Sequence, residues 1–128
     1  MGQYIVDADG VKWEAHKWLE HRRVSAHSLI ALENDVIRLR DDDQGAYHAK
    51  GYNTNTLGVE FLVEGEFRSL AELNERIKEP YLTDFQYETG LWQVRDWMQK
   101  HDIEQIDHNI TTHVHLSPER RQDPGDGF

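Results

Sequence analysis

The stretch TLGVEFLV, residues 56–63, is nearly continuously apolar and is interrupted by a single carboxylate, that of Glu60. A short run of this kind is typical of a β-strand that is covered on both faces, as in a sheet flanked by helices. Upstream, two β-prone runs at 27–32 and 36–40 enclose an Asn-Asp turn at 34–35, and this arrangement predicts a β-hairpin. Together these segments predict the centre of a β-sheet.

A short helix is predicted downstream of that strand. Ser69 and Glu72 have the spacing of a capping box, in which each residue satisfies a backbone N–H of the first helical turn. The apolar residues that follow predict its buried stripe: Leu70, Leu73 and Ile77.

The longest predicted helix covers residues 83–100. Thr83 and Gln86 again have capping-box spacing, and Gly90 within the helix costs about 1 kcal/mol relative to Ala. Apolar side chains recur at i, i+4, i+7 and i+11 and predict the buried face: Tyr87, Leu91, Val94 and Met98.

The two ends of the chain carry weaker patterns. Residues 4–6 predict a short strand, residues 11–21 have apolar positions at helical spacing, and residues 110–128 predict a short β-like run followed by a loop. A chain of 128 residues has room for one modest core. We therefore expect one α/β domain over residues 1–128, with a central mixed β-sheet flanked by helices.

Composition argues against several classes of partner. Lys and Arg total 14 and Asp and Glu total 24, which gives a formal net charge of −10 and predicts no binding to nucleic acid or to an anionic membrane surface. The absence of cysteine excludes disulfides and thiolate chemistry. The first residues have neither the basic nor the apolar region of a secretory signal, so a cytoplasmic location is expected. Eight histidines are many for this length.

Two of the strongest candidates for a metal ligand lie near the end of the chain. His113 and Asp123 carry the nitrogen and oxygen donors that zinc accepts. They are ten residues apart, so they meet only if the loop between them folds back. The alternative is that His113 and His115 lie on one face of an exposed strand and Asp123 begins a turn.

Glu60 is the other candidate for chemistry. A carboxylate placed within an apolar strand carries a desolvation cost, which raises its pKa toward the range of a general base or acid. The alternative is a Glu at the end of the strand that points into solvent. His48, in the loop before this strand, is a further candidate.

These residues, in order, resemble the zinc-dependent N-acetylmuramoyl-L-alanine amidases, the type-2 amidases related to peptidoglycan-recognition proteins. The resemblance extends from Trp13 to Phe128. The segments that carry it are the hairpin VSAHSLI at 24–30, YHA at 47–49, NTNTLGVE at 53–60, the helix start TDFQ at 83–86, and the terminal stretch HVHLSPERRQDPG at 113–125.

The resemblance implies a role for several individual residues. His113 and Asp123 would be two zinc ligands, and Glu60 would activate the water that attacks the substrate. Arg121 occupies the position of a family lysine that stabilises the oxyanion, and it keeps the charge of lysine but not its compact ammonium. His48 and Asn53 would line the substrate groove.

One element of the family pattern differs here. The family places its first zinc-ligating histidine at the end of the first strand, whereas residues 6–10 of this chain contain none. Asp7 is the predicted replacement, with Asp9 and His16 as alternatives. The remaining histidines are expected to be structural or on the surface: His27 in the hairpin, and His21, His101 and His108.

The expected function is peptidoglycan hydrolysis. By the resemblance, the chain is an amidase domain whose edges are shorter than the family's. With Zn²⁺ it would cleave the amide between N-acetylmuramic acid and the L-alanine of a stem peptide, in peptidoglycan or in a soluble muropeptide. The alternative is a catalytically inactive module of the same fold that binds peptidoglycan or muropeptides, which the missing histidine favours because two ligands rarely hold a catalytic zinc.

Overall fold

The computed structural model describes residues 4–6, 11–14, 17, 26–46, 56–106, 109–116, 118–119, 121 and 123–128. They form a three-stranded mixed sheet, a two-stranded sheet and helices, which confirms the predicted α/β class. The strands are β1 (Tyr4–Val6), β2 (Lys12–Glu14), β3 (Ser28–Ile30), β4 (Val36–Arg38) and β5 (Val59–Phe61); the helices are α1 (Leu70–Arg76), α2 (Asp84–Lys100) and α3 (His113–Leu116).

The three-stranded sheet has the order β4-β3-β5, with β3 in the middle. β3 pairs antiparallel with β4 and parallel with β5, and Leu29 is the partner of both Ile37 and Glu60. Asn34 in the hairpin turn has φ 64°, a left-handed conformation that asparagine tolerates better than most residues. The predicted hairpin and the predicted strand within 56–63 are therefore both confirmed.

The first sheet corrects the start of the helix predicted at residues 11–21, whereas Lys17, within that range, is helical. Residues 12–14 form β2, which pairs antiparallel with β1 so that Val6 is the partner of Lys12. The backbone hydrogen bonds of that ladder outweigh a helical pattern that has no strong cap. Val11, the first residue of the predicted apolar face, is half exposed. The predicted strand at residues 4–6 is confirmed as β1.

Helix α1 begins where it was predicted, but its buried stripe differs. The Ser69 hydroxyl accepts from the Glu72 N–H at 3.2 Å, and the Glu72 carboxylate accepts from the Arg68 N–H at 3.0 Å. Leu70 is 69% exposed, whereas Ile77, at the C-cap, is buried. Only the end of the helix contacts the core, because its first turn projects into solvent.

Helix α2 has the predicted bounds and a complete capping box at Thr83 and Gln86. Its buried face, however, lies one residue before the predicted one. The buried residues are Gln86, Gly90, Gln93 and Trp97. Tyr87 and Leu91 from the predicted face are exposed instead.

Two glutamines explain this rotation of α2. The Gln86 side-chain amide donates to the carbonyl oxygens of Leu62 at 2.7 Å and Ile30 at 3.4 Å. The Gln93 side-chain oxygen accepts from the Ser28 hydroxyl at 2.9 Å. Gly90 allows the helix to approach the sheet, since a Cβ there would lie 2.8 Å from Cζ of Phe61. The polar face is buried because the sheet satisfies its hydrogen bonds.

The terminal segment also differs from the prediction. Residues 113–116 form the helical turn α3, not a β-like run. The Leu116 N–H donates to the Thr112 carbonyl at 3.1 Å, and the Val114 N–H donates to the Asp123 carbonyl at 3.0 Å. Contacts with the following loop thus favour a turn where the sequence alternates like a strand.

None of the described helices has the length and apolar character needed to cross a lipid bilayer.

Candidate active site

The end of the chain brings two of the predicted zinc ligands into contact. Helix α3 begins with His113, and the loop after it returns so that His113 Nδ1 and Asp123 Oδ2 form a direct hydrogen bond. The His113 side chain is only 17% exposed. The alternative of an exposed strand does not describe this segment, because His113 lies in a helical turn and points inward.

The His113–Asp123 bond determines the charge of both groups. The bond to Asp123 raises the pKa of His113 above its ordinary value, and the negative charge of Glu60 acts in the same direction. Burial alone would raise the pKa of Asp123, but the bond and positive charge of His113 outweigh it and lower that pKa. In the metal-free protein, the pairing therefore favours the protonated form of His113 beside the charged form of Asp123. Zinc binding requires His113 to lose that proton.

Glu60 is the central residue of β5 and is half-buried, so it is not a strand-end residue in solvent. Burial raises the pKa of its carboxyl group. The charge of His113 opposes this rise, Asp123 adds to it, and Arg121 again opposes it. Glu60 thus lies within electrostatic reach of all three residues.

Arg121 provides positive charge at the edge of this cluster. Its guanidinium Nη1 lies 4.0 Å from Asp123 Oδ1, and its side chain is 41% exposed. The guanidinium charge opposes the rise in the pKa of Glu60 and contributes to the lowered pKa of Asp123. An exposed, permanently charged group beside two carboxylates is available to an anionic or developing anionic atom.

Tyr81 also belongs to the cluster, although nothing in the sequence indicated it. Its hydroxyl donates to the Pro124 carbonyl at 2.8 Å. Burial, together with the charges of Asp123 and Glu60, raises its pKa to about 12. It is therefore a neutral hydrogen-bond donor at physiological pH. No spacing rule relates Tyr81 to a carbonyl 43 residues away, so only the fold reveals the contact.

Two other histidines have identifiable structural settings. His27 is fully buried; its Nδ1 accepts from the Gly58 N–H at 3.1 Å, and its Nε2 lies 2.8 Å from the Gln44 carbonyl. Burial lowers the pKa of His27 and favours its neutral form. The ring connects the residue before β3 with Gly58, just before β5, as expected of a structural residue. His101 lies at the surface and bonds to Asp42 at 2.8 Å.

Several predicted site residues lie outside the described residues: Asp7, His48 and Asn53, and also Asp9, His16, His21 and His108. Within the described parts of the chain, no three His, Asp or Glu side chains come together as a metal-binding group. His113 and Asp123 fit two positions of a zinc site by donor chemistry and by proximity.

Comparison with known proteins identifies the family of this chain. The family model for N-acetylmuramoyl-L-alanine amidase matches residues 3–126. The chain is 28% identical over 112 residues to the 1,6-anhydro-N-acetylmuramyl-L-alanine amidase AmpD of Citrobacter freundii and to the proteins of the same name from two Salmonella typhimurium strains, SL1344 and LT2. Each alignment covers 86% of this chain and 55% of the relative, so the chain spans about half the length of these relatives. From the family match over nearly its whole length, the chain belongs to the N-acetylmuramoyl-L-alanine amidase family.

Proposed function

We propose that the protein hydrolyses the amide between N-acetylmuramic acid and the L-alanine of a stem peptide, with zinc as its cofactor. The observation that carries this proposal is the His113–Asp123 pair held within electrostatic reach of Glu60. A carboxylate of raised pKa beside two zinc-type donors is suited to metal-assisted amide hydrolysis. The family match supports the reaction class.

His113 and Asp123 would hold the zinc, with Asp7 as the proposed third ligand. When bound, zinc supplies Lewis acidity toward the amide carbonyl and toward a water molecule. The chain contributes neutral imidazole nitrogen and carboxylate oxygen, both ordinary zinc donors. An oxygen-rich set of this kind is less selective than one with two histidines and should tolerate manganese better.

Glu60 and Arg121 would act on the substrate during the reaction. Glu60 accepts a proton from the attacking water and passes it to the leaving amine, and its raised pKa suits both transfers. Arg121 stabilises the negative charge that develops on the carbonyl oxygen. His48 and Asn53 would line the groove that holds the muramoyl peptide.

The names of the relatives favour a soluble substrate. Each is described as an amidase of 1,6-anhydro-N-acetylmuramyl-L-alanine, so we propose that this chain acts on 1,6-anhydro-muropeptides in preference to intact peptidoglycan. The test supplies the purified protein with a 1,6-anhydro-N-acetylmuramyl tripeptide and, separately, with intact sacculi, and follows peptide release by mass spectrometry. We expect release of a peptide with a free L-alanine N-terminus from the soluble substrate.

A matched pair of variants identifies the site. His113→Ala should abolish both peptide release and zinc binding, whereas His115→Ala should preserve both, because His115 is an exposed residue of the same helical turn. Full activity in His113→Ala would contradict the proposed site.

The second candidate is a binding module of the same fold without catalysis. It is favoured by one observation, that no three-ligand group occurs among the described residues. Asp7 distinguishes the two candidates. If Asp7 is a ligand, Asp7→Ala should reduce the zinc stoichiometry and Asp7→His should tighten zinc binding. If the protein binds the muropeptide without cleaving it, and neither variant changes its zinc content, the binding module is correct.

A further inference from the structure

We infer that Tyr81 is a positioning residue that holds Asp123 in place relative to Glu60. This inference rests on the proposed function, since it concerns the geometry of the proposed zinc and acid–base groups. Tyr81 lies in the connection between α1 and α2 and is buried. Neither element carries a residue of the proposed site, so the connection acts on the site only through its contacts.

The first contact is with the loop that carries Asp123. The Tyr81 hydroxyl donates to the Pro124 carbonyl at 2.8 Å, and Pro124 directly follows Asp123 in the chain. Since the tyrosine ring is buried, its hydroxyl has little freedom to follow a displaced carbonyl. The bond therefore restrains the backbone that positions the Asp123 carboxylate.

The second contact leads to the strand that carries Glu60. The Tyr81 ring lies 6.5 Å from the ring of Phe128, centroid to centroid, and Phe128 lies 5.5 Å from Phe61. Phe61 directly follows Glu60 in β5. These distances are typical of interacting aromatic pairs. Tyr81 thus connects the two sides of the site, through its hydroxyl on one side and its ring on the other.

Other contacts keep the terminal segment docked without the hydroxyl. The Gly127 N–H donates to the Ile77 carbonyl at 2.8 Å. A Cβ at Gly125 would lie 2.4 Å from that same carbonyl oxygen, so the segment lies directly against the connection. Removing the Tyr81 hydroxyl should therefore leave the segment folded and loosen only the position of Asp123.

The experiment compares Tyr81→Phe with Tyr87→Phe. Tyr81→Phe removes the hydroxyl and keeps the ring; Tyr87 is 59% exposed on α2 and serves as the matched control. Zinc affinity is measured by competition with a chelating dye. The values of kcat and KM are measured on the 1,6-anhydro-muropeptide, and folding is followed by thermal melting. Loss of a group that hydrogen-bonds a metal ligand directly typically costs 10- to 100-fold in metal affinity or activity, and Tyr81 acts on Asp123 through the adjacent Pro124. We expect Tyr81→Phe to weaken zinc binding and lower kcat by about 10-fold each, with KM unchanged, and Tyr87→Phe to match the parent.

The outcomes separate this inference from the proposed function. If the parent binds zinc and cleaves the substrate but Tyr81→Phe equals it, the positioning role is wrong and the function stands. If Tyr81→Phe lowers only the melting temperature, the hydroxyl is merely structural and the inference is also overturned. If the parent neither binds zinc nor cleaves, the proposed function is wrong and the positioning role falls with it.

Discussion

Glu60 occupies a position where its backbone and its side chain have separate tasks. The backbone belongs to β5 and pairs with Leu29 of the central strand, while the half-buried carboxylate lies within reach of the charges of His113 and Asp123. A strand interior holds a side chain more precisely than a loop does. The residue proposed to move protons is thus fixed by the sheet, and two of the proposed metal ligands, His113 and Asp123, come from the terminal segment.

Replacing Glu60 by Gln should lower kcat by about 100-fold or more, because Gln keeps the size of the side chain but cannot accept the proton. The melting temperature should stay the same or rise, since burial already disfavours the charged carboxylate. Glu64→Gln is the matched control, as Glu64 is exposed shortly after β5. A fully active Glu60→Gln protein would remove Glu60 from the mechanism, and an unfolded one would make it structural.

The stability of the metal-free protein should depend on pH through His113. Its pKa is raised above the ordinary value of 6.5, mainly by the bond to Asp123. The stabilisation is therefore complete below pH 6.5 and is lost as the pH rises through the pKa of the folded protein. Burial likewise raises the pKa of Glu60 above 4.5, which makes folding less favourable as the pH rises past that value. Asp123, whose pKa is lowered from 3.8, stabilises above that value and loses this effect in stronger acid.

The measurement is urea unfolding of the EDTA-treated parent and of His113→Gln at about pH 5.5 and about pH 8, on either side of the ordinary His range. His27, whose pKa burial lowers, contributes the opposite slope, so the difference between the two proteins is the quantity to compare. We expect the parent's advantage over His113→Gln to shrink at the higher pH. An advantage that grows with pH in EDTA would contradict the assigned ion pair.

In helix α2, hydrogen bonds to the sheet determine which face of the helix is buried. Gln86 bonds to carbonyl oxygens of Ile30 and Leu62, at the ends of β3 and β5, and its side-chain oxygen accepts from the Thr83 N–H at 3.1 Å. One side chain therefore completes the helix cap and joins the helix to two neighbouring strands. The hydrogen bonds of the Gln86 side chain fix the distance between α2 and the strand that carries Glu60.

Gln86→Met keeps the length of the side chain and removes these hydrogen bonds. We expect a loss of about 1–3 kcal/mol in the free energy of unfolding, because the Leu62 carbonyl and the Thr83 N–H lose a hydrogen-bond partner. Gln99→Met, at an exposed position of the same helix, should change it little. Chemical denaturation measures both. Equal stability of the two variants would show that the buried amide does not hold the helix to the sheet.

The elements that could be predicted are those specified by local sequence. The hairpin turn, the apolar run around Glu60 and the capping box at Thr83 each act over a few residues. The face of α2 could not be predicted, because a hydrophobicity pattern does not record that Gln86 and Gln93 find partners on the sheet. Strand β2 and the turn α3 depend on pairing with other segments, β1 and the loop at Asp123, which periodicity does not reveal.

The candidate site shows the same division. The donor chemistry of His113 and Asp123 can be read from the sequence, and the terminal motif suggested that they act together. Their contact, and the return of the loop that makes it, are properties of the fold. Tyr81 was missed because its role depends on a backbone carbonyl, which carries no residue identity.

The proposed site joins parts of the whole molecule that are far apart in sequence. The mixed sheet supplies Glu60, the terminal segment supplies His113, Arg121 and Asp123, and the connection at Tyr81 contacts the terminal segment on one side and, through Phe128, β5 on the other. The family match extends over residues 3–126 and thus includes all of these parts of the chain except Phe128. Activity should therefore depend on the site as a unit and on the zinc that it is proposed to hold.

Zinc-dependent cleavage of the 1,6-anhydro-muropeptide tests the proposed amide hydrolysis most directly. Peptide release is measured for the purified protein, after EDTA treatment, and after zinc is restored, with EDTA-treated His113→Ala plus zinc as the control. We expect EDTA to abolish release, zinc to restore it in the parent, and His113→Ala to stay inactive. Release of the L-alanine-terminated peptide that persists in EDTA would contradict the proposed zinc dependence.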